Sequence, residues 1–474
     1  MTQTGSAIDI GSRLELFVDD YLIDRATGAD LTLHRPTAQE VVLRYDRPWE
    51  GNSCNYITVF RDGDLYRMYY RALHVDFSQS TFRQRPEVIC YAESEDGVHW
   101  DRPSLGLVEF EGSKSNNILL EGSLGTHSFS PFKDSNPDCE PDATYKAVGV
   151  GKGGLFAFKS TDGIHWSLMA NSPVITDGAF DSQNVAFWDS ARGEYREYHR
   201  AFRDGRDIKT ATTKDFLTWP DPVWLSYSPG RVSELYTNGI IPYHRAPHIL
   251  MGFPTRYADR GWAESTKALP QPEYRRVRAT WSQRVGTAVT DGMFMTSRDG
   301  LNFNVWPESF IRPGLRLREN WFYGDNYQNW GIIETESPIE GAPEELSVYA
   351  VEAVEQADSI ERLRRHTLRK DGFVSVQAKL SGGEFVTKPL VFQGSRLVLN
   401  FSTSAAGSIR VEVQDAIGLP IDGFRMSDCH EVFGDALERV VSWKGTGDPG
   451  DLAGRPVRLR ISMRDADLYS LRFR

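Results

Sequence analysis

Apolar and polar residues alternate with a period of two over most of this chain, in short runs that end at Gly, Asp, Asn or Pro. Such alternation predicts strands with one buried and one wetter face. The first block reads YITVF from Tyr56, then a turn at Arg61-Asp-Gly-Asp64, then LYRMYYRAL and VICYAES. Later blocks have the same form. One is FSPFKD, TYKAVGV and GLFAFKS; the next is NVAFWD, EYREYHRAF and DIKTATT; the next is GIIPYH, HILMGFPTRY and GMFMTSR; the last is NWGIIET and ELSVYAVEA. The reading is an all-β chain of repeated meanders.

A turn motif marks the repeats. Ser94-Glu-Asp-Gly-Val-His-Trp100 recurs as Ser160-Thr-Asp-Gly-Ile-His-Trp166, as Ser297-Arg-Asp-Gly-Leu-Asn-Phe303 and, more weakly, as Thr213-Lys-Asp-Phe-Leu-Thr-Trp219. Asp-Gly offers a short polar side chain and a residue at ease with positive φ, which tight hairpins need. One hairpin per unit over about 360 residues predicts a five-bladed β-propeller. LELFVDDYLI near the N-terminus is expected to complete the fifth blade and hide the ring's edges. Past about residue 365 the motif stops. FVSVQAKL, EFVTKPLVF, RLVLNFST, SIRVEVQD, ERVVSW and PVRLRISM predict a C-terminal β-sandwich. The expected domains are 1–362, propeller, and 363–474, sandwich.

Composition narrows the function. The net charge of −11 with no long basic run argues against a nucleic-acid partner. The start lacks a basic then apolar leader and no run is long enough to span a bilayer, so a cytoplasmic protein without a membrane partner is expected. Cys54, Cys90, Cys139 and Cys429 show no metal-ligand spacing and read as reduced thiols; neither a metal nor a cofactor is expected. With 12 Trp and 19 Tyr the chain is rich in rings that build cores and also stack on sugars. A long polar insertion at 258–290, carrying Trp262, Tyr274, Arg275, Arg276, Arg278 and Trp281, is expected to cover the channel mouth or touch a second subunit. A homo-oligomer is therefore among the expected partners.

The Ser-x-Asp-Gly-x-x-Trp hairpins resemble those of the propeller glycoside hydrolases: families 32 and 68, families 43 and 62, and the related phosphorylase family 130. A sandwich behind a five-bladed propeller is the layout of family 32 in particular. The sialidase Asp-box differs by one residue in its turn. The resemblance implies an oligosaccharide or glycoside substrate and cleavage by two carboxyl groups flanking the bond. In such enzymes these groups stand just before the innermost strand of each blade, at the mouth of the central channel.

Glu234, in Ser233-Glu-Leu-Tyr-Thr-Asn-Gly239, precedes GIIPYH as the Glu of the family 32 Glu-Cys motif precedes its strand, which implies a general acid. Asp181, in Phe180-Asp-Ser-Gln-Asn184, is similar to the Asp of Arg-Asp-Pro, which holds sugar hydroxyls, although the flanking residues of that motif are absent. The first blade departs from the family. Trp49-Glu-Gly-Asn-Ser-Cys-Asn-Tyr56 has no aspartate where family 32 carries its nucleophile, and Glu50 is the nearest carboxylate, a candidate nucleophile or base. His127, Asp325, Asn52 and Tyr236 complete the expected set as substrate-binding residues. The resemblance favours a furanoside such as a fructo- or arabinofuranoside. The alternatives are a glycoside phosphorylase, in which phosphate would replace the missing base, and a sugar-binding propeller without catalysis.

Overall fold

A computed structural model of the protein describes residues 7–231, 233–445 and 448–474. Its regular structure is nearly all β, and it divides into two compact units. The larger comprises residues 36–243 and 247–367. The smaller comprises the described part of the segment up to Arg35, residues 244–246 and residues 368–474.

The larger unit is a propeller-like ring of sheets. Among the described residues, four of its sheets are regular and four-stranded. The first runs through Thr58–Asp62, Leu65–Ala72, Val88–Ser94 and Ile118–Leu120. The second takes Phe129–Lys133, Tyr145–Gly151, Gly154–Ser160 and Ser167–Leu168. The third takes Val185–Asp189, Glu194–Phe202, Arg206–Thr213 and Val223–Trp224. The last combines Ile333–Thr335, Glu345–Glu352 and Arg362–Leu368 with Thr37–Arg44. The expectation of five equal blades is corrected here. The fourth repeat is a seven-stranded sheet, because Thr255–Asp259, Glu234–Leu235 and Ser226–Ser228 add themselves around Ala288–Ser297 and Asn302–Ile311.

The Asp turns lock neighbouring sheets together. In the second repeat Asp162 Oδ1 accepts the backbone N–H of Ile164 and of His165, both at 2.8 Å, and Trp166 Nε1 donates to Gly163 O at 3.0 Å. That same carbonyl accepts the hydroxyl of Tyr69, from the second strand of the first blade, at 3.0 Å. Tyr198 donates likewise to Gly300 O at 2.8 Å, and Tyr349 to Gly97 O at 2.5 Å. The glycine is required: at Gly163 φ is +78°, and a Cβ would stand 2.8 Å from the Tyr69 hydroxyl.

Ring closure is a second correction. Thr37–Arg44, not LELFVDDYLI, supplies the outer strand of the last blade, pairing antiparallel from Thr37 opposite Thr367 to Arg44 opposite Arg362. Burial explains the exchange. Glu15, Leu16, Phe17 and Val18 are wholly buried, whereas Thr37–Arg44 is mostly wet, as an outermost strand must be. Each apolar side chain of the first segment gains about 1.5–3 kcal/mol by full burial, which the edge of a blade does not offer.

In the smaller unit Glu15–Leu16 pairs with Ser470 and Leu471. Among the described residues the unit is one ten-stranded hydrogen-bonded sheet, and the long strand Val457–Phe473 connects most of it. That strand pairs along its length with Leu397–Asp415, and on its other edge with Gly383–Thr387 and Val374–Ala378. Phe17, Phe385, Leu399, Val411, Ile461, Leu468 and Trp443 share its apolar core. No helix among the described residues is long and apolar enough to cross a membrane.

Candidate active site

The loops that enter the innermost strands converge on one pocket in the larger unit. Tyr56 precedes Thr58–Asp62, His127 precedes Phe129–Lys133, Asp181 precedes Val185–Asp189, Tyr236 precedes Ile241–Tyr243, and Tyr323 and Tyr327 precede Ile333–Thr335; all line it. The cavity measures about 240 Å³. Its aromatic wall is continuous: the Tyr236 ring lies 5.2 Å from Tyr327 and 5.8 Å from Tyr323, and Tyr56 stacks near-parallel on Tyr327 at 6.5 Å. Burial pushes all four phenols up, so they face the pocket as neutral hydroxyls.

Asp181 is the carboxylate most open to this space, its side chain 61% accessible. His127 Nε2 lies 2.8 Å from Asp181 Oδ1, and His127 Nδ1 lies 2.9 Å from Glu87 Oε2. A ring bonded to a carboxylate at both nitrogens must carry both protons, so the motif is carboxylate–imidazolium–carboxylate. Burial alone would lower the imidazole's pKa, but the bonds to Asp181 and Glu87 win and raise it. Burial alone would raise Asp181; the His127 hydrogen bond and the charges of His127, Arg200 and Arg71 outweigh it and hold this carboxyl down at about 2. Arg200 Nη2 stands 3.7 Å from Asp181 Oδ2.

Glu355 is a second carboxylate in the pocket wall. Its backbone is left-handed, φ +56°, a conformation costly for a residue with a Cβ. Neighbours fix it there. Its N–H donates to Asn52 O at 2.6 Å, Arg278 Nη2 donates to Oε2 at 2.8 Å, and Ser53 Oγ donates to Oε1 at 3.2 Å.

The sequence-based assignments divide. Asp181, His127 and Tyr236 come together in the pocket; Glu234, Glu50, Asn52 and Asp325 do not line it. Glu234 turns toward the third blade, where Arg206 Nη1 donates to it at 2.7 Å and the Arg206 N–H at 3.1 Å. Glu50 is wholly buried and accepts from Arg102 at 2.8 Å and from the Tyr70 hydroxyl at 2.6 Å. Asn52 binds backbone: its Nδ2 donates to Val75 O and Gln356 O, and its Oδ1 accepts from Val75 N. Asp325 accepts from the N–H of Phe322 at 2.9 Å and of Val354 at 3.1 Å; burial raises its carboxyl to about 7. Asn52 and Asp325 thus anchor the segment that carries Glu355.

No family model matches the chain. An uncharacterized protein of Mycobacterium tuberculosis (strain ATCC 25618 / H37Rv) is 28% identical over 151 residues, 30% of this chain and 41% of that protein. An uncharacterized protein of strain CDC 1551 / Oshkosh gives the same figures. The match therefore spans about two fifths of the length of these relatives. Solved structures similar to the chain include one described as a glycoside hydrolase, 14% identical with a TM-score of 0.43, covering 71% of this chain and 92% of that one. A structure from work on the GH130 mannoside phosphorylases and the hydrolases among them is 12% identical, TM-score 0.41, covering 70% and 93%. The catalytic domain of the Coprinopsis cinerea GH62 α-L-arabinofuranosidase is 8% identical, TM-score 0.41, covering 71% and 97%. At this distance the chemistry has to come from the side chains of the pocket.

Several of those side chains lie outside the inner-strand rule. Arg71 and Arg200 sit two residues beyond the interlocking tyrosines Tyr69 and Tyr198, in the matching stretches Tyr70-Arg-Ala-Leu73 and His199-Arg-Ala-Phe202. That internal match is the sequence signal for them. Glu355 follows the second strand of its blade and has no such signal. The 258–290 insertion contributes Trp281, Ser282, Arg284 and Val285 to the pocket wall, and Trp281 Nε1 donates to Phe77 O at 3.0 Å. Two of its arginines are not the solvated surface groups that a polar loop suggests. Arg275 and Arg278 are fully buried, stacked on Phe322 and bonded to the carbonyls of Trp321 and Tyr323.

Proposed function

We propose that the protein cleaves glycosidic bonds, with a terminal sugar seated in the tyrosine-lined pocket. The observation that carries this reading is the permanently ionised Asp181, presented to the cavity beside neutral ring hydroxyls and fixed by His127. The hairpin motifs shared with propeller glycoside hydrolases support it. So does the size of the cavity, about 240 Å³, against roughly 300–1,000 Å³ for ligand pockets in general; one sugar unit suits it better than a chain. Cleavage builds positive charge on the anomeric carbon, and Asp181 opposes that charge or attacks the carbon. The second carboxyl is Glu355, which takes the parts first given to Glu234, as acid, and Glu50, as base; it transfers the proton to the leaving oxygen or activates water. Glu234 holds Arg206 in place at the edge of the site. Hydrolysis with a furanoside as substrate remains the form the resemblance favours.

The test is release of alcohol from a panel of aryl and alkyl pyranosides and furanosides by the purified protein. Glu355→Gln should slow alkyl glycosides by roughly 100-fold and aryl glycosides, whose leaving oxygen hardly needs a proton, much less. Glu234→Gln should change both by no more than a few-fold. If Glu234→Gln were the damaging change, the acid would be Glu234 after all. If no glycoside were turned over, the proposal would fall.

The imidazolium gives the reading a pH signature. His127 has a raised pKa, so its stabilising contribution is complete below about 6.5, the ordinary value, and disappears as pH rises through the raised one. Above that point the ring has one N–H for two carboxylates, and Asp181 loses the nearest of its cationic partners, keeping Arg200 at 3.7 Å. kcat/KM should therefore fall on the alkaline side, and His127→Gln, which cannot titrate, should abolish that limb. A limb that persisted in His127→Gln would assign it to another group.

A further inference from the structure

The pocket carries more positive charge than its own carboxylates neutralise, in a chain whose net charge is −11. Arg83 is ion-paired with Glu87 at 2.6 Å, Arg278 donates to Glu355 at 2.8 Å, and His127 bridges Glu87 and Asp181. With those pairs assigned, two lining arginines remain. Arg284 donates to the Tyr323 hydroxyl at 3.1 Å and stacks over that ring at 5.2 Å, and among the described residues no carboxylate is salt-bridged to it. Arg71 stacks over Tyr56 at 4.6 Å, and its nearest carboxylate oxygen, already bonded to Arg83, is 4.0 Å away. Arg71 is 6% exposed, and its Nε, buried, has no partner. A buried guanidinium with an idle N–H is costly unless something completes it. Both arginines also lie against tyrosine rings, which hold a planar cation in one orientation.

We infer that the sugar bound in this pocket is acidic: it bears an oxyanion, a uronate carboxylate or a sulfate ester, that Arg71 and Arg284 receive. The inference rests on the glycoside reading and adds the substrate class. A guanidinium edge presents two parallel N–H groups, which match two oxygens of either anion. Trp281 and Val285, from the same insertion as Arg284, complete an apolar side for the ring. A neutral sugar would leave Arg71 buried with an idle N–H and Arg284 without a carboxylate, which a site built for neutral ligands avoids.

The experiment is calorimetric titration of the full chain with matched free sugars, each present as both anomers: D-glucose against D-glucuronate, D-galactose against D-galacturonate, and glucose 6-sulfate. The acidic member of a pair should bind roughly 10- to 100-fold more tightly, as charge-assisted hydrogen bonds do. Arg284→Gln should collapse that ratio toward one, and Arg284→Lys should restore part of it. Arg284 is half-exposed, so both variants should fold, which a thermal melt checks. The uronate and sulfate arms tell the two anions apart, and preference for either supports the inference. Equal binding of acidic and neutral sugars would overturn it while leaving glycoside cleavage intact. Binding of none of these sugars would overturn the inference, while the glycoside reading is decided separately by the panel of pyranosides and furanosides. Inorganic phosphate is the remaining arm: if turnover required it and Arg284→Gln abolished that requirement, the anion would be a co-substrate and the sugar neutral, and the inference would be wrong.

Discussion

Asp181→Asn should leave the protein folded and able to bind sugar yet lower kcat by roughly 100- to 10,000-fold. The amide keeps the shape of the carboxylate and removes its charge. With a carboxyl held at about 2, the native residue is fully ionised wherever the protein works, so the variant differs at every accessible pH. Because the charge acts on the sugar ring and not on the departing oxygen, aryl and alkyl glycosides should suffer alike, unlike the split expected for Glu355→Gln. Steady-state kinetics on the two substrate classes separates the roles. An Asp181→Asn enzyme that kept its kcat would show that the ionised carboxylate is not part of the chemistry. His127 would also lose its acceptor charge on one side, so the alkaline limb should move toward lower pH in this variant.

The second large effect concerns stability. Glu50→Gln should cost about 3–5 kcal/mol, the usual result of breaking a buried ion pair, while the folded fraction keeps its kcat. Glu50 is wholly buried, receives two bonds from Arg102 Nη1 at 2.8 and 3.1 Å, and is bonded also by Tyr70 and by the N–H of Arg47 at 2.9 Å. Removing its charge leaves Arg102 with Asp46, at 3.0 Å and itself partly exposed, as its remaining carboxylate partner. Urea unfolding monitored by tryptophan fluorescence, with activity normalised to the folded fraction, reads both quantities. A loss of kcat at unchanged stability would return Glu50 to the catalytic role the sequence suggested.

These two residues show where the sequence could be read and where it could not. The Asp-Gly hairpins were legible because they are local: Ser160, Asp162 and Gly163 satisfy one another within four residues, and nothing distant decides the turn. The rule that site residues precede inner strands selects Asp181, His127 and Tyr236, which share one pocket wall, since a propeller brings those loops to one place whatever their sequence. Applied to Glu50 and Glu234 it selects carboxylates that do not line the pocket, because position near the mouth does not set the side chain's direction. Arg102 and Arg206, remote in sequence, claim those carboxylates. Glu355 was invisible for the opposite reason. It reaches the pocket through a left-handed backbone held by Asn52 and Asp325, two residues expected to touch substrate. The closing strand was misassigned because alternation alone does not distinguish a strand buried on both faces from one at a wet rim; the wholly buried run around Phe17 decides it only once its neighbours are known.

That closing strand also sets a timetable for biosynthesis. Thr37–Arg44 leaves the ribosome early, and its partner Arg362–Leu368 is more than 300 residues behind it. At about 5–20 residues per second, the early strand waits roughly 15 seconds to a minute with its pairing edge unused. Glu40 and Arg44 within it are charges of the kind that discourage an edge from pairing with the wrong chain. The ring is clasped only when the last blade emerges, so its cooperative unit is the whole propeller, and a nascent chain halted between Glu355 and Arg362 carries every pocket loop but not the strand that pairs with Thr37–Arg44.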